Sequence, residues 1–208
     1  MIKTSNLTYQ YSDSDSFNFP DISLKPNEHA LVLGASGIGK TTLLHLLAGL
    51  IVPKEGFVTI GETELNSLNR NERDKFRGEH IGVVFQQYHF IQSLNVEENL
   101  RLRQSVPVKG NDDTRREELL ERLGLIDLRH KNVSNLSQGQ QQRLSIALGL
   151  IHKPKVILAD EPTSNLDDSN CVKVISLLKE EAKICNSNLV IITHDNRIKP
   201  HFKNQILL

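Results

Sequence analysis

Three segments of this 208-residue sequence combine chemically active residue types with the spacing that chemistry needs. The first is GASGIGKTT at 34–42: a glycine, four residues, a glycine, a lysine and then a hydroxyl residue. Gly34, Gly37 and Gly39 let the backbone turn and present its N–H groups as an anion cradle, and a helix starting at the end of the loop adds partial positive charge. In this pattern Lys40 would hold the β and γ phosphates of a nucleotide, and the Thr41 hydroxyl would ligate Mg²⁺. The second segment is VILADEP at 156–162, an apolar run that ends in paired carboxylates. Alone, such a pair is a common solvated turn. Placed 120 residues beyond the phosphate loop, Asp160 would enter a metal's coordination shell, where hard oxygens are wanted. Glu161 would face the γ-phosphate and orient or deprotonate an attacking water. The third is NLSQGQQQR at 135–143. Ser137 with Gln140 three residues on is a capping box. An exposed cap hydroxyl, a flexible Gly139 and free helix N–H groups also make a second anion site, distinct from the phosphate loop.

The elements that must position these residues are legible as apolar runs. ALVLG at 30–34, IGVVF at 81–85, VILAD at 156–160 and LVIIT at 189–193 lack strict alternation and lie among helical patterns, as strands of a parallel sheet covered on both faces do. The amino-terminal part reads differently. Alternating or mixed strands around 2–9, 22–24 and 58–60, split by polar turns such as SDSDS at 12–16, predict an antiparallel layer beside the parallel core. About seventy residues separate the second and third core strands, and helical patterns at 96–103, 112–123 and 140–151 fill them as an inserted subdomain. After Asp167, Cys171, Val174, Leu178, Ala182 and Cys185 make one apolar helical stripe, which core packing explains.

Composition bounds the rest. The sequence has 25 Lys+Arg against 25 Asp+Glu, so no overall field draws it to nucleic acid, which is not expected as a partner. The longest nearly apolar stretch, LLHLLAGLIV at 43–52, is ten residues and contains His45, whereas a membrane-spanning helix needs about 20. The start, MIKTSNLTYQ, has no basic head followed by an apolar core, which predicts no secretion signal and a cytoplasmic location. The two cysteines are too few for a disulfide framework or a zinc site and fit best as small buried residues.

In order, these segments resemble the ATP-binding cassette (ABC) ATPases along nearly the whole sequence. GASGIGKT is similar to the Walker A loop, Gln86 in VVFQQ to the Q-loop, LSQGQ to the LSGGQ signature, ADE to Walker B, SNLD at 164–167 to the D-loop, and His194 in IITHD to the switch histidine. Tyr11 stands where the family usually has an aromatic that stacks on adenine. The resemblance implies an α/β P-loop fold with a parallel-sheet core, an amino-terminal antiparallel layer and a helical subdomain, roughly 87–152, inserted in a RecA-like core, all in one domain spanning 1–208. It implies ATP and Mg²⁺ as ligands. Gly34, Ala35, Ser36, Gly37, Ile38, Gly39, Lys40, Thr41 and Thr42 would bind the nucleotide; Thr41, Gln86 and Asp160 would hold the metal; Glu161, His194 and Gln86 would serve hydrolysis. Two copies would pair head to tail on ATP, each offering Ser137, Gln138, Gly139, Gln140 and Asp167 to the nucleotide of the other, which accounts for the second anion site. Three positions depart from the usual pattern: Gln138 replaces a glycine, Thr41 replaces the commoner serine while keeping its hydroxyl, and Leu148 stands where many members have arginine.

The stretch 76–100, FRGEHIGVVFQQYHFIQSLNVEENL, and EPTSNLD at 161–167 are most similar to the lipoprotein-releasing and macrolide-exporter cassettes. That resemblance implies a separate integral-membrane subunit, with Tyr88, Phe90 and Leu94 as candidate contacts, and attachment at the cytoplasmic face of the plasma membrane. Amino-acid importers share much of the segment and are the alternative. Soluble ABC ATPases of DNA maintenance insert long coiled coils, whereas Ser137 follows Lys40 by only 97 residues without a heptad run. A non-hydrolysing regulatory cassette would be expected to lose Glu161 or His194, and both are present. The end of the sequence at Leu208, soon after the last motif, predicts no regulatory carboxyl-terminal domain.

Overall fold

The computed structural model of the chain describes residues 1–11, 16–106, 112–164 and 166–208. In chain order its elements are β1 Ile2–Gln10, β2 Ser16–Asn18, β3 Ser23–Leu24, β4 His29–Leu33, α1 Lys40–Leu47, β5 Glu55–Ile60, β6 Thr63–Glu64, α2 Arg70–His80 and β7 Ile81–Val84. They continue as α3 Val96–Ser105, α4 Asp113–Arg122, α5 Gln138–Leu150, β8 Val156–Asp160, α6 Asp168–Ile184, β9 Asn188–Thr193 and β10 Asn204–Leu207.

The core is a parallel sheet of order β10-β4-β9-β8-β7. Every residue of β8 and β9 is buried, which is why both read as unbroken apolar runs rather than as alternating strands. Successive side chains still point to opposite faces. Leu31, Leu33, Ile157, Ala159, Leu189 and Ile191 face α5, α6 and the segment between β7 and β8. Ala30, Val32, Leu158, Val190 and Ile192 face α1 and the second sheet. That second sheet is antiparallel, of order β2-β1-β5-β6, with β3 also paired to β1. The expected strands are all present, and the turn predicted at 12–16 lies mostly outside the described residues. β10 joins the parallel sheet as a fifth strand at the edge, beside β4.

Between β7 and β8, α3, α4 and α5 pack through Leu100, Leu119, Leu120 and Leu144, all fully buried. Their starts follow from local chemistry. Asn95 with Glu98 and Ser137 with Gln140 form reciprocal capping boxes, and Asp112 accepts from the Arg115 N–H. α5 runs unusually close to the sheet: a Cβ on Gly82 would fall 2.1 Å from the Gly149 carbonyl oxygen, so only glycine permits this contact. Gln142, buried in the middle of α5, donates to Pro162 O at 3.1 Å and accepts from Tyr88 Oη at 2.8 Å. The same helix is thereby tied to the segments after β7 and after β8. On the α4 side, Glu181 of α6 is 1% exposed and lies 2.6 Å from Arg122 and 4.0 Å from Arg115. Burial pushes the Glu181 carboxyl upward, and the two guanidiniums oppose that shift.

Candidate active site

The strand β4 ends at Leu33 and the chain turns through 34–39 into α1, so the helix amino terminus opens on the carboxyl end of the parallel sheet. Gly39 caps α1 at φ 101°, and a Cβ there would meet Phe17 Cδ1 at 2.6 Å. Both the left-handed backbone and the close ring therefore require glycine. No acidic residue occupies the first turn of α1. Its N–H groups face a cavity of about 330 Å³ lined by Phe17, Ser36, Gly37, Gly39, Lys40, Thr41, Thr42, Gln86, Asp160, Glu161 and His194. Residues predicted from positions 36, 37, 39–42, 86, 160, 161 and 194 are thus brought together by one fold feature.

Lys40 is buried, and its Nζ donates to Gly34 O at 3.0 Å and Ala35 O at 2.9 Å while lying 3.7 Å from Glu161 Oε1. Thr41 donates from Oγ1 to Asp160 Oδ2 at 3.3 Å. Burial raises the Asp160 carboxyl above the ordinary carboxylate range, and the neighbouring Glu161 charge adds to the rise. Glu161 follows β8 with φ 46°, a strained conformation for a side-chain-bearing residue. Its carboxylate accepts from Thr193 Oγ1 at 2.6 Å, from the His194 backbone N–H at 3.2 Å and from His194 Nδ1 at 2.8 Å. The His194 side chain is otherwise 58% exposed, so its far edge faces the open side of the site. Gln86, just beyond β7, is exposed and lines both this cavity and an adjoining one of about 400 Å³ that contains Thr163, Ser164, Asp195 and Arg197.

Other predicted residues lie apart from the cavity. Gly34 and Ala35 serve it only through their carbonyls, and Ile38 is exposed. Tyr11 is 57% exposed, packs edge-on against Tyr9 with ring centroids 4.7 Å apart, and shares a 3.0 Å hydrogen bond with Thr42 Oγ1. Phe17, across the β1–β2 pair, is the aromatic residue that lines the cavity wall. Sequence reading missed it, although Tyr9, Tyr11, Phe17 and Phe19 form two alternating aromatic pairs that mark one face of a hairpin. Ser137, Gln138 and Gly139 are exposed and Gln140 is half-buried at the front of α5, outside the cavity. Asp167 caps α6, accepting from the Asn170 N–H at 2.9 Å, and that bond with the Ser169 hydroxyl and the Asn170 amide lowers its carboxyl to about 2. Asn165, within the SNLD segment, lies outside the described residues.

A separate groove of about 510 Å³ opens between the core and the inserted helices. Its wall includes Phe85, Phe90 and Leu148 together with the exposed apolar side chains Leu50, Ile91, Leu102 and Val106. Of the three contacts predicted there, Phe90 lines the groove, whereas Tyr88 stacks on Phe90 and packs against the core cluster, and Leu94 is half-buried and not part of the wall.

A glycine loop feeding a helix at the carboxyl end of a parallel sheet, with paired carboxylates on a neighbouring strand, an antiparallel second sheet and helices inserted ahead of that strand, defines a P-loop nucleotide-binding cassette. The chain belongs to the ABC transporter family, whose model matches residues 17–164. It is 37% identical to the lipoprotein-releasing system ATP-binding protein LolD of Hydrogenovibrio crunogenus, an alignment covering 100% of this chain and 93% of that protein. It is 36% identical to the macrolide export ATP-binding/permease protein MacB of Burkholderia lata, covering 99% of this chain and 31% of the longer protein. Among solved structures it superposes on the dimeric ATP-binding cassette MJ0796 bound to ADP and Pi with a TM-score of 0.87 at 32% identity, covering 100% and 94% of the two chains. It also superposes on cbiO1 of Clostridium perfringens, part of the cbiONQ transporter complex, with a TM-score of 0.86 at 29% identity, covering 100% and 86%.

Proposed function

We propose that this chain is the ATP-binding and ATP-hydrolysing subunit of an ABC transporter, working as a homodimer on the cytoplasmic face of the plasma membrane to power a separate integral-membrane permease subunit. The observation that carries this reading is the meeting of Lys40, Thr41, Asp160 and Glu161 at one cavity while residues 137–140 stand outside it. The first four are the parts a nucleoside triphosphate needs from its own chain, and the last are free to serve a second copy. The chain is read as one nucleotide-binding domain over 1–208, with a helical subdomain at roughly 87–152 inserted in the core.

The phosphates would occupy the cradle at the start of α1, with residues 34–42 around them and Tyr11 against the adenine. Lys40 would exchange its two loop carbonyls for phosphate oxygens. Thr41 Oγ1 and Asp160 Oδ2, 3.3 Å apart, are the hard oxygens that suit Mg²⁺. Gln86 would complete that set, and the ion when bound neutralises phosphate charge. Glu161 would take the proton of, or orient, the attacking water, held in place by Thr193 and by both nitrogens it meets at His194. The second copy would bring Ser137, Gln138, Gly139, Gln140 and Asp167 to the phosphates, so charge stabilisation arrives only on closure, by the logic of a partner-supplied arginine finger.

The apolar groove beside Phe85 and Phe90 would receive a helix of the permease. The likeness to LolD and MacB favours lipoprotein release or efflux as the task. The test is phosphate release by the purified chain, alone and reconstituted with its permease. Slow, Mg²⁺-dependent hydrolysis that rises with the partner is expected; nucleotide binding without hydrolysis in either state would refute the reading.

A further inference from the structure

We infer that Arg197, which belongs to none of the family-like motifs, is a positioning residue for hydrolysis: it clamps the segment that carries Asp167 to the segment that carries His194 and thereby sets the carboxylate of Glu161. This rests on the hydrolytic reading above. The guanidinium grips Asp195 in two-pronged fashion, Nε to Oδ1 at 2.9 Å and Nη2 to Oδ2 at 2.8 Å. Its remaining nitrogen reaches the entry to α6, donating from Nη1 to Leu166 O at 3.1 Å and to Asp168 Oδ1 at 2.7 Å. From Asp195 the bonds run inward. Oδ2 accepts from Thr163 Oγ1 at 2.9 Å, and the Asp195 N–H donates to Thr193 Oγ1 at 3.0 Å. Thr193 Oγ1 in turn donates to Glu161 Oε2 at 2.6 Å. Thr163 and Thr193 are fully buried, so the inner half of this chain of contacts has no water to substitute for a lost partner.

Arginine is required by the geometry. One planar group with donors on three nitrogens spans two carboxylates and a backbone carbonyl at once, which a lysine ammonium on a flexible stem cannot reproduce. The hydrogen bonds from Arg197 hold the Asp195 carboxyl down at about 2, so the pair stays ionised across the working range. Arg197 itself is 42% exposed, and an ion pair at such a site adds little to global stability. Its value lies in geometry. Asp195 directly follows His194, and Leu166 directly precedes Asp167, and small misplacements of reacting groups are costly to rate.

The experiment compares steady-state ATP hydrolysis, affinity for a fluorescent ATP analogue and thermal melting for the full chain, for Arg197→Gln, Arg197→Lys and Asp168→Asn, and for the double variant that combines Arg197→Gln with Asp168→Asn. In Arg197→Gln kcat is expected to fall about 10- to 100-fold, with KM, analogue affinity and melting temperature essentially unchanged. Arg197→Lys recovers part of the rate, and adding Asp168→Asn to Arg197→Gln costs less than Asp168→Asn alone, because both act through one clamp. Wild-type kcat in Arg197→Gln, or a loss of rate matched by loss of affinity and melting temperature, overturns the inference. A wild-type chain that binds but never hydrolyses ATP overturns the hydrolytic reading and this inference together, so the two failures are distinct.

Discussion

Lys40 Nζ lies 3.7 Å from Glu161 Oε1, two opposite charges with side chains 8% and 9% exposed, in a cavity with room for phosphates. The lysine proposed to hold phosphate is thus paired with the carboxylate proposed to act on water. Entry of an anionic phosphate would draw Lys40 away and leave Glu161 to Thr193 and His194. Removing the lysine in Lys40→Met takes out a charge-assisted contact of about 1.5–3 kcal/mol, so affinity for a fluorescent ATP analogue should drop about 10- to 150-fold. Unchanged affinity would place the phosphates elsewhere.

Glu161→Gln keeps size and most hydrogen bonds but loses the charge. Turnover is expected to fall by about 10²–10⁴, while nucleotide binding persists and an ATP-bound dimer survives gel filtration. Phosphate release at the wild-type rate would show that another group activates the water.

Ser137→Ala tests whether residues 137–140 form the second anion site proposed above. Ser137 caps α5 through a 3.4 Å bond from the Gln140 N–H and does not line the cavity of its own chain. Loss of the cap should cost about 0.5–1 kcal/mol in urea unfolding. Hydrolysis should fall much further, with analogue binding by the monomer intact. Equal loss of binding and stability would reduce Ser137 to a helix cap.

Arg122→Ala strands Glu181, which is 1% exposed and keeps only Arg115 at 4.0 Å. Breaking such a pair costs about 3–5 kcal/mol. The sign of the pH dependence follows from burial, which already raises the Glu181 carboxyl and would raise it more without Arg122. A raised acid favours the folded state while protonated and loses that contribution as pH climbs through its folded value. Urea unfolding should show the variant close to wild type in acid and falling behind toward neutrality. A gap that stays constant with pH would place the cost in lost packing instead.

How much of this was legible in the sequence depended on what each segment buries. Four strands of the parallel sheet, β4, β7, β8 and β9, announce themselves because nearly all their residues are buried. The edge strand β10, NQIL, is mostly exposed and short, and nothing in its pattern distinguishes it from a tail. Helix α2 went unread because RNERDKFRGEH has no buried residue; the only signal was Asn69 with Glu72, a capping box that the structure confirms. The cavity lining was read from motifs, which fixed Lys40, Asp160 and Glu161. Thr193, Asp195 and Arg197 were invisible because their importance comes from three strand and helix ends meeting in space, not from spacing along the chain. The same holds for Phe17, which reaches the phosphate loop only through the hairpin register that sets it opposite Tyr9.

The absence of any side chain between Gly82 and Gly149 makes a mechanical weld. By this contact the strand that leads to Gln86 and the helix whose front end carries Ser137 would be expected to move together. In the proposed dimer these two residues attend different nucleotides, Gln86 the chain's own and Ser137 the partner's. A membrane helix pressing between Phe85 and Leu148 would therefore turn a single lever with an arm at each nucleotide, so both pockets register the load together rather than in turn.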